Sequence, residues 1–239
     1  MNTSIQSPGS ASSLFHGIYT LPDAAHILHV PAFKLRRWLD TEAPVPHAEG
    51  VLAETATFYG ISKVGIRGEA HQKHVDFLTL IELFTIYQLR EAGVSFPEIR
   101  VVRSELQEEF STEHPFALKG LLSDGRKIAR EINQRDLLLL NAQGQRGFSA
   151  VLEDFFKRID FEESSKLASR YHPCGRESAV VVDPRISFGR PVLEGTAIAT
   201  ETLLSLYKGG ETPELIAEQF EIGEAAVQDA LNFENWQAA

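Results

Sequence analysis

A single cysteine, Cys174, stands among the 239 residues. One thiol leaves no intramolecular disulfide and no all-cysteine zinc site within a chain. No apolar run reaches the ~18 residues that a membrane helix needs. The opening MNTSIQSPGSASS has neither a basic start nor an apolar core, so a secretory signal is not expected. These absences point to a cytoplasmic protein without a membrane partner. Catalytic patterns are missing too: there is no His-Glu-x-x-His and no nucleophile elbow. His26 and His29, and again His71 and His74, sit three apart, but no cysteine or carboxylate cluster completes a ligand set. They are read as surface histidines. His172 with Cys174 is incomplete in the same way. Gly189 and Gly195 are separated by five residues with no following lysine, which excludes a phosphate loop. The expectation is a non-enzyme with no metal and no cofactor.

What is present is an average soluble composition, 43% hydrophobic and 23% charged. The net charge of −10 is unevenly spread. Residues 1–110 hold 9 basic and 13 acidic side chains, residues 111–178 hold 11 and 10, and residues 179–239 hold 3 and 10, giving −4, +1 and −7. Acidity concentrated at the C-terminus suits a basic partner.

Residues 1–18, rich in Ser and Gly, form a flexible tail in this reading. Thr20 caps a first helix, with Asp23 completing a capping box. Val30-Pro31 interrupts, and a second helix runs from about Ala32 to Thr41. Residues 43–74 are irregular. Asp76 to Glu91 is apolar on almost every face, so it must be buried on more than one side. Gly93 ends it. Ser95 and Glu98 box the next helix, which reaches about Phe110. Segments 116–122 and 126–132 flank Asp124-Gly125, a hairpin signal, and 137–140 could add a strand. Ser149 caps a helix whose Leu152, Phe155, Phe156 and Ile159 share a face. Residues 160–178 are a polar connector. Val180 to Val182 is a strand, and short helices follow at about 201–208, 213–220 and 224–234.

One template occurs twice. Aligning Val30 with Ile222 places Ala25 over Ala217 and Leu35 over Val227. A small residue, an apolar turn plug and a second apolar anchor at this spacing describe a helix-turn-helix. The second helix of the first copy carries Lys34, Arg36 and Arg37, which suits entry between phosphates in a major groove; a solvated basic face is the plainer alternative. The second copy offers Glu224, Gln228 and Asp229, whose carboxylates phosphate would repel, so it is read as a protein contact, with oligomer packing as the plainer alternative.

YTLPDAAHILHVPAFKLRRWL (19–39) and VDFLTLIELFTIYQLREAGVSFPEIR (75–100) resemble the MerR-type winged-helix domain, although residues 43–74 lack its Gly-Tyr-Arg-type wing. The segment 180–234 resembles a bacterial family of unknown-function domains found in antitoxins of the VapB kind. Gly189, Pro191, Gly195 and Thr196 of GRPVLEGT carry that likeness, with Ala197 where many members have arginine. The resemblance implies operator binding and neutralisation of a PIN-like ribonuclease toxin.

The expected fold is therefore mainly α with a small β-hairpin or meander insertion. A tail (1–18) precedes a MerR-like DNA-binding domain (19–110), a β-containing middle region (111–178) and an acidic three-helix domain (179–239) of helix-turn-helix type. The expected function is an antitoxin that binds a palindromic operator as a homodimer, the apolar helix 76–91 supplying a seam. The alternative is a MerR-like, effector-responsive regulator with 111–178 as its pocket. A third possibility is a pure protein-interaction module.

Overall fold

The computed structural model describes residues 17–40, 66–67, 74–91, 93–119 and 154–236. The Asp124-Gly125 hairpin, the strand at 137–140 and most of 43–74 lie outside those residues. Within them the chain is mainly helical with two small antiparallel sheets.

Strand β1 (Tyr19–Thr20) leads directly into α1 (Leu21–Leu28). Thr20 accepts from the Asp23 backbone N–H, and Asp23 accepts from that of Thr20. Such a reciprocal cap is worth about 1 kcal/mol, and Pro22 costs nothing in a first turn whose N–H groups have no helical partner. Helix α2 (Ala32–Asp40) follows, then β2 (Ile66–Arg67) and β3 (His74–Val75). The three strands pair in the order β1-β3-β2, with Val75 opposite both Tyr19 and Ile66. Helices α3 (Phe77–Glu91) and α4 (Phe96–Phe110) come next, the second closed by the Ser95–Glu98 box.

The second sheet is a meander of β4 (Ile159–Phe161), β5 (Ala168–Tyr171), β6 (Val180–Val182) and β7 (Pro191–Leu193). Two expectations change here. Ile159 does not continue the helix shared by Phe155 and Phe156; it opens β4 and pairs with Tyr171. Residues 160–178 are not a mere connector, because they build the β4–β5 hairpin. Its strands pair from Ile159↔Tyr171 to Phe161↔Ala168 with a register shift, so apolar and polar residues do not alternate cleanly along it. Helices α5 (Thr200–Lys208), α6 (Pro213–Phe220) and α7 (Glu224–Glu234) complete the chain.

The main core gathers α1, α3 and α4 around Leu80, Ile81, Leu83, Ile86 and Leu89, and it continues into Phe155, Tyr171, Val180, Val182 and Phe233. A second cluster, Leu193, Leu203, Ile216, Val227 and Leu231, holds the last three helices together. Helix α3 is therefore covered by its own chain. The apolar surface that suggested a dimer seam is already buried.

Nor is α3 wholly apolar inside. Glu82 is 0% exposed and Arg103 only 2%. One Glu82 oxygen meets Arg103 Nη2 and His114 Nδ1, each at 3.2 Å; the other accepts from the Phe116 backbone N–H. Arg103 also donates to the Glu113 carbonyl. This buried charge cluster ties α3, α4 and the turn at 114–117 together, because a carboxylate stripped of water requires that many donors.

Candidate functional site

The two copies of the helix-turn-helix pattern adopt the same backbone. Helix α1 ends at His29 (φ 53°, ψ 47°), whose N–H donates to the carbonyls of Ala25 and His26. Helix α6 ends at Glu221 (φ 54°, ψ 42°), whose N–H donates to Ala217 and Glu218. Val30 N–H donates to Ala25 at 3.0 Å, and Ile222 N–H donates to Ala217 at 3.0 Å. Each is a left-handed helix stop in which the orphan carbonyls find donors. Leu35 and Val227 are both fully buried, anchoring the second helix of each pair. Thr20 and Thr212 cap the first helices through equivalent contacts.

The exposed chemistry of the copies differs. On α2, Lys34 Nζ sits 2.7 Å from Glu91 Oε1 and 5.0 Å from the centre of the Tyr87 ring. The Glu91 bond holds its ammonium above the usual lysine range. Lys34 thus fastens α2 to α3. Arg36 is exposed, with no ion-pair or hydrogen-bond partner among the described residues. Arg37 lies within α2, but its side chain is outside the described set. Phe33 is 68% exposed. On α7, Glu224 and Gln228 face solvent, Gln228 donating to Asn232 at 3.0 Å. Asp229 has a different task. Its Oδ2 accepts from the Ala179 N–H at 2.8 Å and ties α7 to the start of β6.

The glycine-proline segment is a set of turns. Gly189 is buried at φ +84°, where an added Cβ would lie 2.2 Å from Tyr19 Oη. Pro191 opens β7 opposite Val182. Gly195 has φ +76°, and Thr196 Oγ1 donates to the Leu193 carbonyl at 2.8 Å while accepting from Ile198 N–H. These four residues fold the chain back on itself.

His26 and His29 are not plain surface histidines. They pack against the end of α7, where His29 stacks on Trp236 at 4.6 Å and 13°, with Phe233 5.5 Å away. His26 Nε2 lies 3.3 Å from Glu234 Oε2, off the line of a hydrogen bond. The turn of the first helix-turn-helix thus rests on the last helix of the second. Burial first, then His26 and Arg158, lowers the His29 pKa to about 4. His114 moves the other way: burial would lower it, but the Glu82 hydrogen bond and charge raise it. An NMR titration of the imidazoles should place His29 near 4 and His114 above 6.5. His29 makes stability rise with pH between about 4 and its ordinary value of 6.5, because the unfolded chain there binds the extra proton. The His114 contribution has the opposite sign and fades as pH rises through its raised value.

A pocket of about 600 Å³ lies over the β4–β5 hairpin, lined by Lys119, Asp160, Glu162, Arg170, Arg176 and Arg185 among others. Asp160 meets Arg176 at 2.6 Å, Arg170 at 2.9 Å and His172 at 3.2 Å. Burial works against its charge, but these donors outweigh it and hold the carboxyl below the usual range. No sequence pattern announces this cluster, since its members come from separate strands and turns.

The two turns thus match in geometry and differ in charge: the first is followed by an arginine with no partner among the described residues, the second by exposed Glu224 and Gln228. Residues 180–233 match the family model described as "Protein of unknown function (DUF433)". Over 230 residues the chain is 25% identical to the protein named "Putative antitoxin VapB45" from Mycobacterium tuberculosis (strain ATCC 25618 / H37Rv), covering 90% of this chain and 92% of that one. The crystal structure of Rv2018 from Mycobacterium tuberculosis shares the fold with a TM-score of 0.65 at 21% identity, over 89% of this chain and 96% of that one. No described helix is long and apolar enough to cross a membrane.

Proposed function

We propose that this chain is the antitoxin of a toxin–antitoxin pair, binding operator DNA with its first helix-turn-helix and a PIN-like ribonuclease toxin with its acidic C-terminal unit. The observation that carries it is the likeness to a named antitoxin along 90% of the chain, which spans both helix-turn-helix units and not one alone. Support for the division of labour comes from charge. Residues 200–234 hold eight carboxylates against the single cation Lys208, while α2 leaves Arg36 open. Glu224 and Gln228 are the exposed groups offered to the toxin; Asp229 positions their helix from behind. The N-terminal unit (19–110) acts as a MerR-like reader, and a palindromic operator brings two copies together through a surface other than α3.

The test is co-expression with the adjacent small reading frame. Co-purification and relief of the growth arrest caused by that frame alone are expected. Neither, with both proteins soluble, rejects the antitoxin role. On promoter DNA, replacing Arg36 and Arg37 by Ala should make the negative slope of log K against log salt shallower by about 2, one for each phosphate no longer neutralised. Lys34→Ala should change it less, since that ammonium is bound to Glu91. An unchanged slope in the double-arginine variant removes α2 as the reader. The pocket lined by Arg170 and Arg176 favours the second reading, an effector-responsive regulator, and that reading leads if no toxin partner is found.

A further inference from the structure

We propose that Phe33 reads a thymine in the major groove, its ring packing on the C5-methyl group while Arg36 holds a neighbouring phosphate. This rests on the DNA-binding reading of α2 and adds to it the residue that selects sequence.

Phe33 is 68% exposed, and among the described residues only Phe188 leaves a large apolar side chain more open to water. Its location gives that exposure meaning. It is the second residue of α2, in the first turn after the left-handed stop at His29. In helix-turn-helix proteins the N-terminal residues of the second helix meet base edges. Three residues on, at the spacing that shares a helix face, stands Arg36, exposed and unpaired among the described residues. Ala32, also exposed, is small enough to let the helix approach closely. Leu35 is fully buried on the opposite side, and Lys34 is drawn to Glu91. Among the described side chains of α2, the open ones are thus an aromatic ring beside a cation, with Ala32 next to them. Phosphate attracts the cation, and the one base feature in the groove that suits an apolar ring is the thymine methyl.

The chain supplies its own comparison. Under the alignment that superposes the two turns, Ala32, Phe33 and Arg36 correspond to Glu224, Ala225 and Gln228. All three of the latter are exposed. The same backbone device therefore carries ring and cation in one copy and a leading carboxylate in the other. Charge complementarity selects nucleic acid for the first copy alone.

The experiment uses the full chain. Duplexes are selected from a random pool, and binding to the selected site is measured by fluorescence anisotropy, with each thymine replaced in turn by uracil to remove only the methyl. The parent should bind about four-fold more weakly for each contacted thymine that is replaced, the worth of one buried methyl group. Phe33→Ala should bind thymine and uracil equally there while keeping the parent's salt slope; Phe33→Leu should keep part of the discrimination. Position 33 is exposed, and a thermal melt confirms that the variants fold. A Phe33→Ala protein with the parent's uracil profile overturns the proposal, as does a selected site with no methyl-sensitive thymine. A variant that keeps that profile but no longer self-associates or binds the toxin assigns Phe33 to a protein contact and overturns it as well. A parent that selects no sequence at all brings down the DNA-binding reading itself.

Discussion

Replacing Glu82 by glutamine is expected to remove about 3–5 kcal/mol of stability, the penalty for leaving a buried charge without its partner. Glutamine keeps the shape and still accepts from the Phe116 N–H, but the charge facing Arg103 is gone. Arg103 is only 2% exposed and has no route back to water from between α3 and α4. Against a total stability of about 5–15 kcal/mol for a typical domain, the loss takes a large share. A second variant separates charge from packing. Glu82→Leu with Arg103→Met removes both ions and is expected to be more stable than Glu82→Gln alone, since matched apolar groups replace a buried ion pair at little or no cost. Urea denaturation followed by circular dichroism measures both. A Glu82→Gln midpoint close to that of the parent means that the cluster is not held by charge.

Gly189→Ala should be the most damaging small change in the glycine-proline segment. Ser187, Phe188 and Gly189 have φ of 48°, 57° and 84°, three successive left-handed residues. Alanine at the third costs about 1–2 kcal/mol for that conformation. Its Cβ would also fall 2.2 Å from Tyr19 Oη and 3.2 Å from Gly17 Cα. Tyr19 is 2% exposed, so its ring has nowhere to swing without disturbing the main core. Overpacking of this kind adds about 1–3 kcal/mol. Gly195→Ala provides the control. Its φ is +76°, yet nothing lies within 4 Å of the added carbon, so only the backbone cost applies. Thermal unfolding of the pair reads the difference. Equal destabilisation in the two variants would show that the Tyr19 contact carries no weight. A larger effect in Gly189→Ala should come with faster proteolysis near residue 17, where the N-terminal strand leaves the β6–β7 turn.

Legibility in the sequence followed the range of the interaction. The boxes of Thr20 with Asp23 and Ser95 with Glu98 are decided within one turn of helix, and both stand where the residues place them. The same holds for α5 to α7, bounded by glycines and by Thr212, and for the two helix stops whose alanine, turn and anchor residues repeat at fixed spacing. The four strands of the second sheet divide along this line. Val180 to Val182 is apolar throughout and buried throughout, so composition alone marks it. The β4–β5 hairpin is half-polar and register-shifted, and its strands exist because each finds a partner across a turn.

The chemistry of individual charges was a tertiary decision. Lys34 reads as a phosphate contact until α3 brings Glu91 to within 2.7 Å from 57 positions away. Asp229 reads as a free carboxylate until the Ala179 N–H, 50 positions away, takes it. Glu82 interrupts an apolar helix with no local sign that Arg103 and His114 will surround it, and His26 with His29 gives none that Phe233 and Trp236 will cover them. Capping and periodicity are written within a few residues because backbone geometry repeats over that distance. The pairing of one side chain with another far along the chain has no period, and only the packing of helices against each other fixes which charges stay open to a partner and which are committed to the fold.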